Sequence, residues 1–162
     1  MTIVRVKKEL LNMMKPTKDM SIRLSLICVC VFTVILLAAD IFAYRWISWY
    51  VEWRTMRPES VALMMVTLYT ASVFGWVCLW ALWKLLRNIK SEIVFDKDNV
   101  RLLRIISWCC AFAAIIFLVS GVYYAPCFLV AVAAAFMMLI VRVVKNVFQQ
   151  AIEMKSELDL TI

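Results

Sequence analysis

Residues 84–104, KLLRNIKSEIVFDKDNVRLLR, are the long polar interruption in the middle of an otherwise apolar chain and divide it into two hydrophobic halves. Their second half carries a helix-start signal with a mechanism. Asp96 has the short acceptor side chain of an N-cap. Phe95 and Val100 then fall at N′ and N4, the two positions of a hydrophobic staple, and Asp98 in the first turn suits the positive end of the helix dipole. Asn99 takes N3, where a reciprocal capping box would carry Glu or Gln. Lys97 onward is therefore predicted to be one helix that starts in water and continues into an apolar segment.

Outward from this connection, composition fixes the solvent. Of 162 residues, 65% are hydrophobic and 18% charged, and mean hydropathy is +0.89, whereas soluble domains are roughly 45–50% apolar. The charges lie almost wholly outside four apolar stretches. The sequence predicts an all-α polytopic membrane protein. A basic segment (1–20) precedes the first span (22–44). An outer aromatic loop (45–59), a second span (60–83), the cytoplasmic connection (84–104) and a third span (105–124) follow, then a fourth span (127–148) and a tail (149–162). At about 1.5 Å per residue such spans cross a hydrocarbon core near 30 Å. Ala125–Pro126 is short enough for a hairpin tip, so the layout is two antiparallel hairpins, with the fourth helix extending into the cytoplasm.

Sidedness follows from the basic residues. Placing both termini and the connection in the cytoplasm assigns 15 of the 18 Lys and Arg to that side and leaves Arg45, Arg54 and Arg57 outside, in line with the positive-inside rule. The net charge of +7 is thus arranged to meet anionic headgroups of a lipid bilayer. No nucleic-acid-binding motif accompanies it, which argues against direct nucleic acid binding. The first apolar stretch is long for the core of a signal peptide and three more follow, so it reads as a retained helix.

At the amino end, Ile3, Val6, Leu10, Met13 and Met14 recur at helical spacing against Arg5, Lys7, Lys8 and Lys15. Two readings stand, an amphipathic helix in the interface or a basic tail that only fixes topology. Pro16 is expected to break this segment before the first span.

Asp40 is the ionisable residue lying within a span, near its outer end. Intramembrane acids are functional candidates, but at that depth a carboxylate can also reach interfacial water or pair with Arg45, Arg54 or Arg57. In the outer loop, Trp46, Trp49 and Trp53 at i, i+3 and i+7 place three indoles on one face of a short surface helix, as an aromatic belt or as a ligand platform. Asp40 and these three tryptophans form the candidate outer-side site. Ala71 with Gly75, and Ala131 with Ala135, mark faces where helices can approach closely. The other polar residues in the spans, mainly Thr33, Thr67, Thr70, Ser72, Ser107 and Ser120, are a thin set for a translocation path.

The six cysteines all fall in or beside apolar segments, and there is no histidine. Neither the Cys28–Cys30 spacing nor the Cys109–Cys110 pair gives ligand geometry on a helix, so no metal site and no cofactor are expected. With no histidine, and no carboxylate pair near a nucleophile, no enzyme is expected either. Beyond the fourth span, Val144, Val147, Phe148, Ala151 and Ile152 continue an apolar stripe that must pack on the central loop, on another copy in a homo-oligomer, or on a partner.

Phe95-Asp-Lys-Asp-Asn99-Val100, followed by Leu103-Arg104, and the terminal Asp159-Leu160-Thr161-Ile162 resemble the motifs of a family of uncharacterised bacterial four-span membrane proteins, a domain of unknown function. The four-span layout agrees over most of the chain. Departures are Leu158, where that family commonly has a polar residue, and the lack of a Gly on the approach to Phe95. Members are often encoded beside a small helix-turn-helix regulator of the Cro/repressor type. The resemblance therefore implies a protein of the bacterial cytoplasmic membrane paired with a cytoplasmic transcription regulator.

Two functions follow as expectations. The first is a regulatory or sensory membrane protein whose cytoplasmic face, formed by Phe95, Asp96, Asn99, Val100 and Asp159, Leu160, Thr161, Ile162, binds that partner; the same residues could instead only cap a helix and close the bundle. The second is a small transporter, channel or immunity-type protein acting on a peptide or small cation.

Overall fold

The computed structural model describes the backbone of residues 2–55, 59–91 and 96–160 and the side chains of 20–55, 59–91 and 96–157. Phe95 and the terminal Asp159–Ile162 motif, two of the sequence-derived candidates, lie outside the described side chains. The described residues form four helices, α1 (Thr2–Trp53), α2 (Glu59–Lys90), α3 (Lys97–Ser120) and α4 (Pro126–Leu160). Each contains a stretch long and apolar enough to cross a bilayer, with peak hydropathies of 2.7, 1.8, 2.4 and 2.7. The molecule is an all-α, multi-pass membrane protein.

Several boundaries differ from the sequence reading. α1 runs through Pro16 without a break. A proline removes one N–H and crowds one carbonyl, a local loss that a helix continuing on both sides absorbs. The same helix continues to Trp53, so Trp46, Trp49 and Trp53 stand on the end of α1 and not on a separate surface helix. Charge does not stop α2 at Trp83 either: Lys84, Arg87 and Lys90 continue it for two further turns. Basic side chains suit the negative end of the helix dipole, and Lys84 and Arg87 lie over the rings of Trp80 and Trp83 at 5.3 and 5.5 Å. About a third of the central polar stretch, residues 84–90, is therefore the end of α2.

α3 begins where the capping argument places it. Asp96 is the N-cap, in extended conformation (φ −125°, ψ 145°), and its side chain accepts from the Asp98 amide at a long 3.5 Å. The helix stops at Ser120, earlier than the third span was predicted to end, and residues 121–125 turn into α4, whose first residue is Pro126. A proline at N1 loses no bond the helix needs. Gly121 sits close to its neighbours at this turn: a Cβ there would meet Phe128 Cδ2 at 2.9 Å and the Leu118 carbonyl oxygen at 3.1 Å, so one of them would have to shift.

Consecutive helices pack on one another, so α3 touches both α2 and α4, while α1 packs along α2. The core gathers Ala81 and Leu85 of α2 with Leu102, Leu103 and Ile106 of α3, and Val141 and Phe148 of α4 pack against it. Of the two proposed small-residue faces, Gly75 lies against Leu36 of α1, to which a Cβ would come within 3.2 Å. On α4 only Ala131 is buried, whereas Ala135 is exposed. Large apolar side chains such as Phe32, Ile41, Leu129 and Phe136 point outward, as expected where lipid is the solvent. Between helices in lipid the hydrophobic effect contributes little, so close packing and internal hydrogen bonds carry the association.

Candidate functional site

Asp40 projects from α1 toward one stripe of α2. Its Oδ2 accepts from Ser72 Oγ at 2.7 Å and from Trp76 Nε1 at 2.9 Å, and its main-chain oxygen accepts from Tyr69 Oη at 3.3 Å. Residues 69, 72 and 76 follow at i, i+3 and i+7, the repeat that keeps three side chains on one helical face. The other carboxyl oxygen, Oδ1, is buried and has no hydrogen-bond partner among the described residues.

Of the two alternatives the sequence offered for Asp40, interfacial water or an arginine, no ion pair with Arg45 or Arg54 is formed among the described residues. Among the described residues the ion pair is Arg101 with Asp98, at 3.2 Å on the exposed surface of α3, where such pairs are worth about 0–1 kcal/mol. Helix geometry gives the reason. Arg45 is five residues beyond Asp40 and points well around the helix, and Arg54 is about 21 Å along it. Arg54 instead donates from Nε to Tyr50 Oη at 3.4 Å, a contact that pushes its already high pKa further up. Arg57 lies outside the described residues.

Asp40 borders a cavity of about 510 Å³ lined by α1, α2 and α3, by Tyr123 and Tyr124 of the 121–125 turn and by Cys127 of α4. Leu36, Leu68, Phe74, Ala113 and Phe117 give it an apolar wall. Thiols come from Cys78, Cys109, Cys110 and Cys127, and hydroxyls from Thr67, Ser72, Tyr123 and Tyr124. Thr67 and Ser120 share a hydrogen bond of 2.8 Å, Tyr123 Oη donates to Ser120 Oγ at 2.8 Å, and Thr67 also contacts Tyr123 Oη. This cluster joins α2, α3 and the turn and satisfies its own polar groups.

A second cavity, of about 580 Å³, lies beside the first and is lined by Trp46, Ile47, Trp49, Tyr50, Met64 and Tyr124. The two share Ile47, Met64 and Tyr124. At their junction Tyr50 and Tyr124 share a hydrogen bond of 3.0 Å between hydroxyls, and their rings meet edge-on at 6.0 Å. Of the outer-side candidates, the structure thus places Asp40 on one cavity and Trp46 and Trp49 on its neighbour. Trp53 stacks on Trp49 at 6.4 Å and lines neither.

At the far end of α2, Asn99 is fully buried and accepts from Asn88 Nδ2 at 2.8 Å. Val100 is buried beside it and Asp96 caps the helix, so three of the candidates on the connection gather at one helix start. Sequence reasoning missed Asn88, Tyr50 and Tyr124, and did not link Ser72 or Trp76 to Asp40. The i, i+4 spacing of Ser72 and Trp76 was the available signal.

Residues 37–162 match the family described as "Protein of unknown function (DUF2975)". The chain belongs to that family. No curated protein and no solved structure matches it. The DUF2975 match takes in Asp40, the lining of both cavities apart from Leu36, and the Asn88–Asn99 pair, and leaves out residues 1–36.

Proposed function

We propose that this DUF2975 protein is a sensory or regulatory element of the bacterial cytoplasmic membrane: it binds a small ligand at Asp40 and presents a cytoplasmic surface at the Asn88–Asn99 end to a partner. Its role is binding, without catalysis. In this reading the helices form two antiparallel hairpins with both termini in the cytoplasm. Contacts between residues 67 and 120 and between residues 88 and 99 support opposed directions for α2 and α3. The basic residues beside Trp80 and Trp83 support a cytoplasmic end for α2.

The observation that carries the proposal is that one continuous helix serves both sites. α2 holds Asp40 through Ser72 and Trp76, and twelve residues later, about 18 Å along the axis, its half-buried Asn88 donates to the buried Asn99. A ligand that competes for Asp40 changes the α1–α2 contact. As a rigid element biased at one end, α2 then alters what the start of α3 and the tail present. A helix-turn-helix regulator is the partner the sequence resemblance suggests.

The test is photo-crosslinking from Ser156 in native membranes, with transcription read in parallel. A crosslinked small helix-turn-helix protein, released several-fold by Asn99→Ala, is expected. A tail that captures only another copy, with transcription unchanged on deletion, would overturn the partner. The second reading, a small transporter or channel for a cation, draws on the Thr67–Ser120–Tyr123 hydroxyls beside the same cavity. Cation flux in liposomes that vanishes with Asp40→Asn would replace the first reading.

A further inference from the structure

The chemistry of the two cavities narrows the ligand. A volume near 510 Å³ suits a small molecule, and largely apolar walls select an apolar body. Within that wall Asp40 offers one acidic group with one satisfied oxygen and one buried oxygen lacking a donor. The complement is a positive charge that also carries an N–H. A polyol or sugar would strand several hydroxyls against apolar carbon, and an anion would face like charge. A hard metal cation wants six or more oxygens, while the neighbouring hydroxyls of Thr67, Ser120 and Tyr123 already bond one another.

The second cavity points the same way. It presents the rings of Trp46, Trp49, Tyr50 and Tyr124, and aromatic faces attract a cation before its water is fully lost. Trp46 and Trp49 are 61% and 65% exposed, so this cavity opens at the surface of the helix bundle, whereas Tyr124 and Met64 connect it to the Asp40 cavity.

We infer that the protein binds a monocationic amphiphile, a protonated amine on an apolar body, which enters over the aromatic cavity, passes the Tyr50–Tyr124 contact and donates to Asp40. This rests on reading the Asp40 cavity as a ligand site and adds the ligand's class.

The experiment uses the full chain in phosphatidylcholine nanodiscs, with equilibrium dialysis of radiolabelled dodecylammonium and, separately, of dodecanol, subtracting protein-free discs. Saturable dodecylammonium binding, at roughly tenfold or more higher affinity than dodecanol, is the expected result, because a charge-assisted bond is lost with the alcohol. Asp40→Asn should bring the amine down to the level of the alcohol. Trp49→Ala should weaken the amine several-fold without changing the alcohol. Equal binding of both probes, unaffected by Asp40→Asn, would overturn the cation assignment and leave the cavity as a binding site. Absence of saturable binding by either probe would overturn both. The comparison of probes on the unaltered protein needs no variant to fold.

Discussion

A carboxyl group inside an apolar span has to find its partners there, and Asp40 finds them on a single neighbour. Both donors converge on one oxygen, so either can go while the other still satisfies it. Ser72→Ala and Trp76→Phe should therefore each cost about 0.5–1.5 kcal/mol, the usual range for a hydrogen bond between spans. The double variant should cost more than the sum, because only then is the carboxyl stranded. Reversible unfolding in mixed micelles measures all three, and strict additivity would show that the bonds do not share one acceptor. Asp40 itself was legible in the sequence as a charge in the wrong solvent, but its partners were not. Sequence proximity favoured arginines 5 to 17 residues away. The true donors are 32 and 36 residues away and become visible only when α2 is laid beside α1.

Helix ends show which local signals survive folding. The start of α3 was readable because an N-cap acts through its own side chain and the next few amides, all within one turn. The end of α2 was misread because charge alone does not terminate a helix, and nothing between Lys84 and Lys90 caps or breaks it. At α1 the stop is a backbone feature: Thr55 adopts φ 54°, in the left-handed region, just after Arg54 and Thr55 donate back to Tyr50 and Glu52. A β-branched residue is costly there, where Gly is usual. Thr55→Gly should raise stability by about 0.5–1 kcal/mol, the gain in conformational fit exceeding the added freedom of the unfolded chain. The same unfolding assay checks it, and a loss of stability would mean that the threonine side chain holds this end of α1. Because Tyr50 lies one turn before this stop, the change also bears on how firmly the Tyr50–Tyr124 contact is held.

At the scale of the whole molecule, the span count was the most legible property, since four apolar stretches separated by charge admit few alternatives once lipid is the solvent. The arrangement of the spans was less so: between apolar helices the sequence offers only small residues and a few hydroxyls as packing marks, and Ala131 proved buried where Ala135 did not. Sidedness is a separate question, decided by charge at the ends. α2 is the helix on which to test it, because its 32 residues extend about 48 Å, well beyond a core of roughly 30 Å, so Glu59 and Ser91 must emerge on opposite sides. Both are exposed. In a cysteine-free background, a membrane-impermeant maleimide should label Glu59→Cys in intact cells stripped of outer layers. Ser91→Cys and Ser156→Cys should label only after the membrane is opened. The reverse pattern would place the Asp40 cavity toward the cytoplasm and the Asn88–Asn99 pair outside. Labelling of both ends of α2 from one side would mean that this helix does not cross. Only the first pattern puts the aromatic cavity where a ligand arrives from outside and the Asn88–Asn99 pair where a cytoplasmic partner could respond.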